Sequence, residues 1–197
     1  MIGRDFWYDV LRSGAILGVV MALSRIVEMY LLAYSSLDMG SMSMWFLLEW
    51  VVAAVIFVWL LVRMSKRRAA ATDPKYGYSY SMALAYILMI SMLAGIMVGV
   101  ADTLFIGVMG YDAYIDGMIG RIDEIRQLYV SMNITSVDAD FSAMISALRS
   151  AERPSMMSAV FSMFNSYVLV GGVVGLVVAG VVCRKPQIIS ENQDDDE

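Results

Sequence analysis

The sequence predicts an all-α polytopic membrane protein, with four transmembrane helices and an external amphipathic helical insert between helices three and four. Three observations predict it. Hydrophobic residues make up 59% of the 197, and mean hydropathy is +0.67. Soluble domains are only about 45–50% apolar. The apolar residues form long blocks that most of the charged residues, 17% of the total, avoid. Lys and Arg gather at alternate ends of those blocks, as they do on the cytoplasmic side of a membrane.

A hydrocarbon core of ~30 Å takes about 20 residues of helix. Four stretches reach that length, at residues 13–34, 44–62, 81–109 and 156–183. Lipid offers the backbone no hydrogen bonds, so each is expected to be helical throughout. The first is too long for a signal-peptide core and no small-residue cleavage site follows, so it is expected to remain as a span. Arg4 and Arg12 precede it. Arg63, Lys66, Arg67, Arg68 and Lys75 lie between spans two and three, and Arg184 and Lys185 follow span four. The turn at residues 35–43 has neither Lys nor Arg, and the 110–155 connection dilutes four arginines with seven acids. These asymmetries place both termini and the middle loop in the cytoplasm. The cluster Arg63, Lys66, Arg67 and Arg68 would then lie at the lipid surface, either as an orienting anchor or as a site for anionic headgroups.

The 110–155 insert carries its own pattern. Ile115, Met118, Ile119, Ile122, Ile125 and Leu128 recur at three- and four-residue steps, which is one stripe of a helix. Asn133 to Ser136 reads as a break, a second helix is expected over residues 138–152, and Pro154 precedes span four. The pair reads as a hairpin on the outer membrane surface or bundle, or as a lid or a face for a partner protein. Residues 187–197 read as a disordered acidic cytoplasmic tail.

The inventory of reactive groups is short. There is one cysteine, Cys183, and no histidine. The commonest general base and the commonest metal ligand are therefore both missing. No phosphate-binding glycine loop, nucleophile elbow or metal-ligand cluster is present. The expectation is a non-enzyme without cofactor or metal. Net charge is −5, but five acids lie beyond Pro186, so the rest is neutral and offers no nucleic-acid surface.

Charges inside spans cost about 2.5–3.5 kcal/mol each and call for a reason. Arg25 and Glu28 lie in span one, Glu49 in span two, Asp102 in span three and the polar Asn165 in span four. At ~1.5 Å per residue the acids and Asn165 all fall in the outer half of the bilayer, with Arg25 just beneath. The layer serves either to fix helix order and rotation or as a proton, cation or headgroup site. Gly95 and Gly99 in span three and Gly171 and Gly175 in span four have the spacing that lets helices approach closely, within one chain or between two.

The segment from Lys75 to Ala85 (KYGYSYSMALA), the acidic insert, and the run from Val170 to Ala179 (VGGVVGLVVA) leading to Arg184 and Lys185 together carry a resemblance. The chain resembles the bacterial membrane family catalogued as domain of unknown function 4199, from about Gly14 to Lys185. That family more often leaves span four through lysines, where this chain has Cys183, Arg184, Lys185 and Pro186. The resemblance implies a four-span inner-membrane protein and supplies no catalytic residue. Two roles are therefore expected. One is an accessory or scaffold subunit working through a membrane-protein partner. The other is a small proton- or ion-coupled transporter or channel, assembled as a homo-oligomer and using the charged layer.

Overall fold

The computed structural model describes residues 4–35, 39–134 and 136–186. The acidic segment 187–197 lies outside the described residues. Six helices follow in order: α1 (Arg4–Tyr34), α2 (Met39–Ala71), α3 (Tyr80–Met109), α4 (Tyr111–Ser131), α5 (Asp138–Ser150) and α6 (Met156–Val182). Four of them, α1, α2, α3 and α6, are long and apolar enough to cross a membrane. No strand occurs among the described residues.

The chemistry of the ends explains where the helices start and stop. Ser79 and Ser155 are N-caps, their hydroxyls accepting from the backbone N–H of Met82 and Ser158. Thus α3 and α6 begin within one residue of the positions expected from hydropathy. In contrast, α1 starts nine residues before the predicted span, and α2 runs nine residues past its predicted end. A hydropathy window detects only the apolar part of a helix. The added turns hold together by tertiary packing, since Val10, Ser65 and Ala69 are buried and Asp9 pairs with Arg68 at 2.9 Å. The basic cluster expected in a loop is consequently helical.

α3 lies at the centre, between α1 and α6. Its buried residues Ala83, Tyr86, Ile87, Ile90, Ala94 and Val98 follow a helical period. Small residues let the axes approach. A Cβ on Gly99 would lie 2.6 Å from the Val160 Cα, and one on Gly95 would lie 2.9 Å from the Phe164 Cα. On the facing helix, Gly175 sits against Ile87 and Gly171 against Ser91. All four predicted packing glycines therefore join α3 to α6 within one chain. Gly14 against Leu93 and Gly18 against Met97 do the same for α1 and α3.

α2 attaches more loosely, chiefly through Phe57, Leu60 and Leu61, and exposes Leu47, Val51, Val55 and Trp59. α6 likewise turns Leu169, Val173, Val177 and Val181 outward at four-residue steps. Continuous outward apolar stripes suit lipid, and water would penalise them. At the end that holds both termini, Tyr78 and Arg184 exchange backbone hydrogen bonds of 2.9 and 2.8 Å. Gly77, at φ +66°, makes room for that bridge, since a Cβ there would meet the Arg184 carbonyl.

The insert forms two helices, as expected, at the opposite end. α4 turns Ile119 inward and packs on the end of α1, where Gly117 meets the Ala33 backbone. Among the described residues α5 packs on α4 alone and has no fully buried residue. Arg126 of α4 joins Asp138 of α5 at 2.6 Å, and the Tyr129 and Phe141 rings lie 5.7 Å apart.

Candidate functional site

Arg25 is the hub of the intramembrane charges. From the middle of α1 its Nη1 donates to the Glu28 carboxylate at 2.7 Å, one turn along the same face. Its Nε donates to Asp102 of α3 at 3.1 Å. Asp102 is 7% exposed, so a desolvated carboxylate is held by a guanidinium of matching geometry. One cation therefore serves two acids and ties α1 to α3. Tyr114 of the insert is close enough to feel Arg25, Asp102 and Glu28. Burial pushes its phenol above the usual range, while Arg25 pulls it down.

Glu49 is placed differently. It projects from α2 and accepts a hydrogen bond from the Ser24 hydroxyl of α1. No ion pair involves it among the described residues. Glu28, Glu49, Arg25 and Ser24 face a common cleft of roughly 380 Å³ between α1, α2 and α6, walled by Trp50, Phe57, Ser166 and Tyr167. The Tyr167 ring meets Phe57 edge-on at 6.0 Å. Counting Asp102 behind Arg25, three carboxylates stand around one guanidinium, which pairs with Glu28 and Asp102 and leaves Glu49 in surplus. Aromatic faces beside surplus carboxylate favour a positively charged guest.

Four of the five predicted residues thus come together, and Asn165 does not. It is exposed on α6, outside the cleft, where the next two residues, Ser166 and Tyr167, take its place. Depth along a helix follows from residue count, but each residue also turns the side chain by about 100°. Asn165 has the right height and the wrong azimuth. No group of three His, Cys, Asp or Glu among the described residues is arranged to hold a metal.

Sequence reading also missed Arg121. Only 9% exposed, it donates to the carbonyls of Leu32 and Ser35, to the Ser35 hydroxyl at 3.1 Å, and to Glu124 at 2.9 Å. Helix C-termini leave carbonyls unsatisfied and carry partial negative charge. Arg121 answers both needs at the end of α1 and anchors the insert. Its signal was its spacing, three residues after Met118 and four before Ile125, on the stripe that should be apolar.

The basic cluster is also rearranged. Arg68 is committed to Asp9 and stacks over Phe6 at 5.4 Å, and Arg63 lies over Trp59 at 4.9 Å. Arg12 of α1 joins Arg63, Arg67 and Arg68 around a second cleft of roughly 260 Å³, while Lys66 lies outside it.

No curated protein and no solved structure matches this chain. Over residues 12–184 it matches the model of the family described as protein of unknown function (DUF4199). That match takes in α2 to α6 and the greater part of α1, so the chain belongs to this family.

Proposed function

We propose that the protein is a non-enzymatic, ion-coupled carrier of the bacterial inner membrane, with both termini cytoplasmic, and that the cleft between α1, α2 and α6 is its binding site. The observation that carries this reading is Glu49, an intramembrane carboxylate that opens on an aromatic cleft and, among the described residues, has only a hydroxyl as partner. Its ionised form costs a few kcal/mol in lipid unless a proton or another cation accompanies it. Exchange between a proton and a cationic guest is the chemistry such a group performs. Packing supplies the means of movement. α1, α3 and α6 are locked by glycine seams, whereas α2, which carries Glu49, packs more sparsely on its neighbours. Loosely packed elements are the ones that shift.

Reconstitution into proteoliposomes loaded with a pH-sensitive dye tests the proposal. Sodium, potassium and the lipophilic cation tetraphenylphosphonium serve as probes. Wild-type protein should couple at least one of them to proton movement, and Glu49→Gln should abolish the coupling without lowering thermal stability. Absence of coupling for all three probes, or full coupling in Glu49→Gln, would refute it.

A second reading, an accessory or scaffold subunit, draws support from α5, whose Met144 is exposed and which packs only on α4. Co-purification from native membranes in mild detergent separates the two, because a scaffold should bring a partner and a carrier need not.

A further inference from the structure

At the end of the bundle that holds the termini, α1 and α2 part to form a cleft that the ion-coupled reading does not use. Arg12 enters it from α1, Arg63 from one turn of α2, and Arg67 and Arg68 from the next. Among the described residues the only carboxylate lining it is Asp9, already paired with Arg68. Arg12, Arg63 and Arg67 have no ion-pair partner among the described residues. The Nε of Arg68 is buried without a hydrogen bond among the described residues, and an unmet buried donor on a charged group is costly. Tyr86 donates to the Ser13 hydroxyl at 2.8 Å, which leaves the proton of Ser13 free to donate in turn. The cleft thus gathers donors and positive charge with one committed acceptor.

Its other wall is greasy. Ile16 and Trp59 line it and are 44% and 53% exposed, on faces continuous with the lipid-directed stripes of α1 and α2. Trp59 also holds the Arg63 guanidinium over its ring. A guest for this place needs an anionic oxygen-rich head and an apolar body beside it. Guanidinium groups match phosphate oxygens in a bidentate manner.

We propose that the cleft between α1 and α2 is a specific site for the phosphate group of an anionic membrane lipid, held by Arg12, Arg63 and Arg67 with Arg68 at its back. Attraction of a basic stretch to a charged membrane would be diffuse and would include Lys66. A formed site distinguishes the arginines that line the cleft from the lysine that does not.

Native mass spectrometry of the full chain in a neutral detergent removes the charged membrane and counts lipids one at a time. The probes are short-chain phosphatidylglycerol, phosphatidylcholine and inorganic phosphate. Loss of charge-assisted hydrogen bonds should weaken the first phosphatidylglycerol bound to Arg67→Gln or Arg63→Gln by about ten-fold or more. Lys66→Gln should bind as wild type does, and phosphatidylcholine should bind weakly to all. Thermal unfolding of each variant checks that the bundle is intact, and Arg68 is left alone because Asp9 depends on it. Equal losses in Lys66→Gln and Arg67→Gln would overturn the site, as would equal binding of the two lipids. Inorganic phosphate that displaces the lipid at equal concentration would overturn the lipid as the source of the phosphate.

Discussion

Tyr78 shows how one side chain can couple this fold to pH. It precedes α3 and is 3% exposed, and its hydroxyl has no partner among the described residues. Burial, and secondarily the neighbouring Tyr86, pushes its phenol from the ordinary 10.0 up to about 12. The neutral form is favoured in the folded chain, so the stabilisation is complete below the ordinary value. It is lost as pH rises from 10.0 towards about 12. Tyr78→Phe should remove that alkaline sensitivity. It should also raise stability near neutrality by about 1 kcal/mol, because an unsatisfied buried hydroxyl is deleted. Thermal unfolding in detergent across that pH range reads both effects. A variant that unfolds at lower temperature than wild type would mean the hydroxyl has a partner in solution. In sequence Tyr78 stands out only as part of the Lys75–Ala85 segment that enters span three. Its burial is not legible there, because that depends on the Tyr78–Arg184 bridge, a contact across more than half the chain.

At the scale of the element, the seam between α3 and α6 makes the sharpest claim. Gly99→Val would press two methyl groups into the Val160 backbone, and overpacking of this kind costs about 1–3 kcal/mol. Gly120 of α4 has nothing within 4 Å of its would-be Cβ. Gly120→Ala should therefore stabilise α4 by up to about 1 kcal/mol through helix propensity. Hydrogen exchange would show faster opening of α3 and α6 in the first variant and slower opening of α4 in the second. If Gly99→Val protects as well as wild type, the seam is not close-packed. The joint between α4 and α5 responds to acid instead. The Arg126 hydrogen bond holds the Asp138 carboxyl below its ordinary 3.8. That contribution is present above the ordinary value and fades as pH falls through the depressed one. Asp138→Asn should make exchange in α5 fast at neutral pH and remove its acid dependence. Spacing alone revealed the glycines of α3 and α6. Gly14 and Gly18 of α1 have the same four-residue interval and went unread, although they seat α1 on α3 just as closely. The helical extensions of α1 and α2 were hidden for another reason, since their polar turns are stabilised by packing that hydropathy does not report.

For the whole molecule, the number of spans and the level of the charges followed from length, hydropathy and residue count. The pairing of the charges did not, because it depends on how each helix is rotated. The structure resolves the layer into two parts with different duties. Arg25, Glu28 and Asp102 form a closed triad between α1 and α3, and Glu49 stands apart on α2. A triad of this kind is destabilising to break and much less so to delete, because the cost lies in the charge left without a partner. Arg25→Gln strands two carboxylates and should destabilise the bundle by about 3 kcal/mol, the lower end for a buried pair, since Arg25 keeps 28% of its side chain exposed. Arg25→Met combined with Glu28→Gln and Asp102→Asn removes every charge of the triad and should recover most of that loss. Glu49→Gln should leave stability unchanged, since it has no ionic partner to strand. Thermal unfolding of the three variants in one detergent orders them. Arg25→Gln as stable as wild type would show that the triad does not hold α1 to α3. A triple variant no better than Arg25→Gln would show that the charges themselves, rather than their pairing, keep the two helices together.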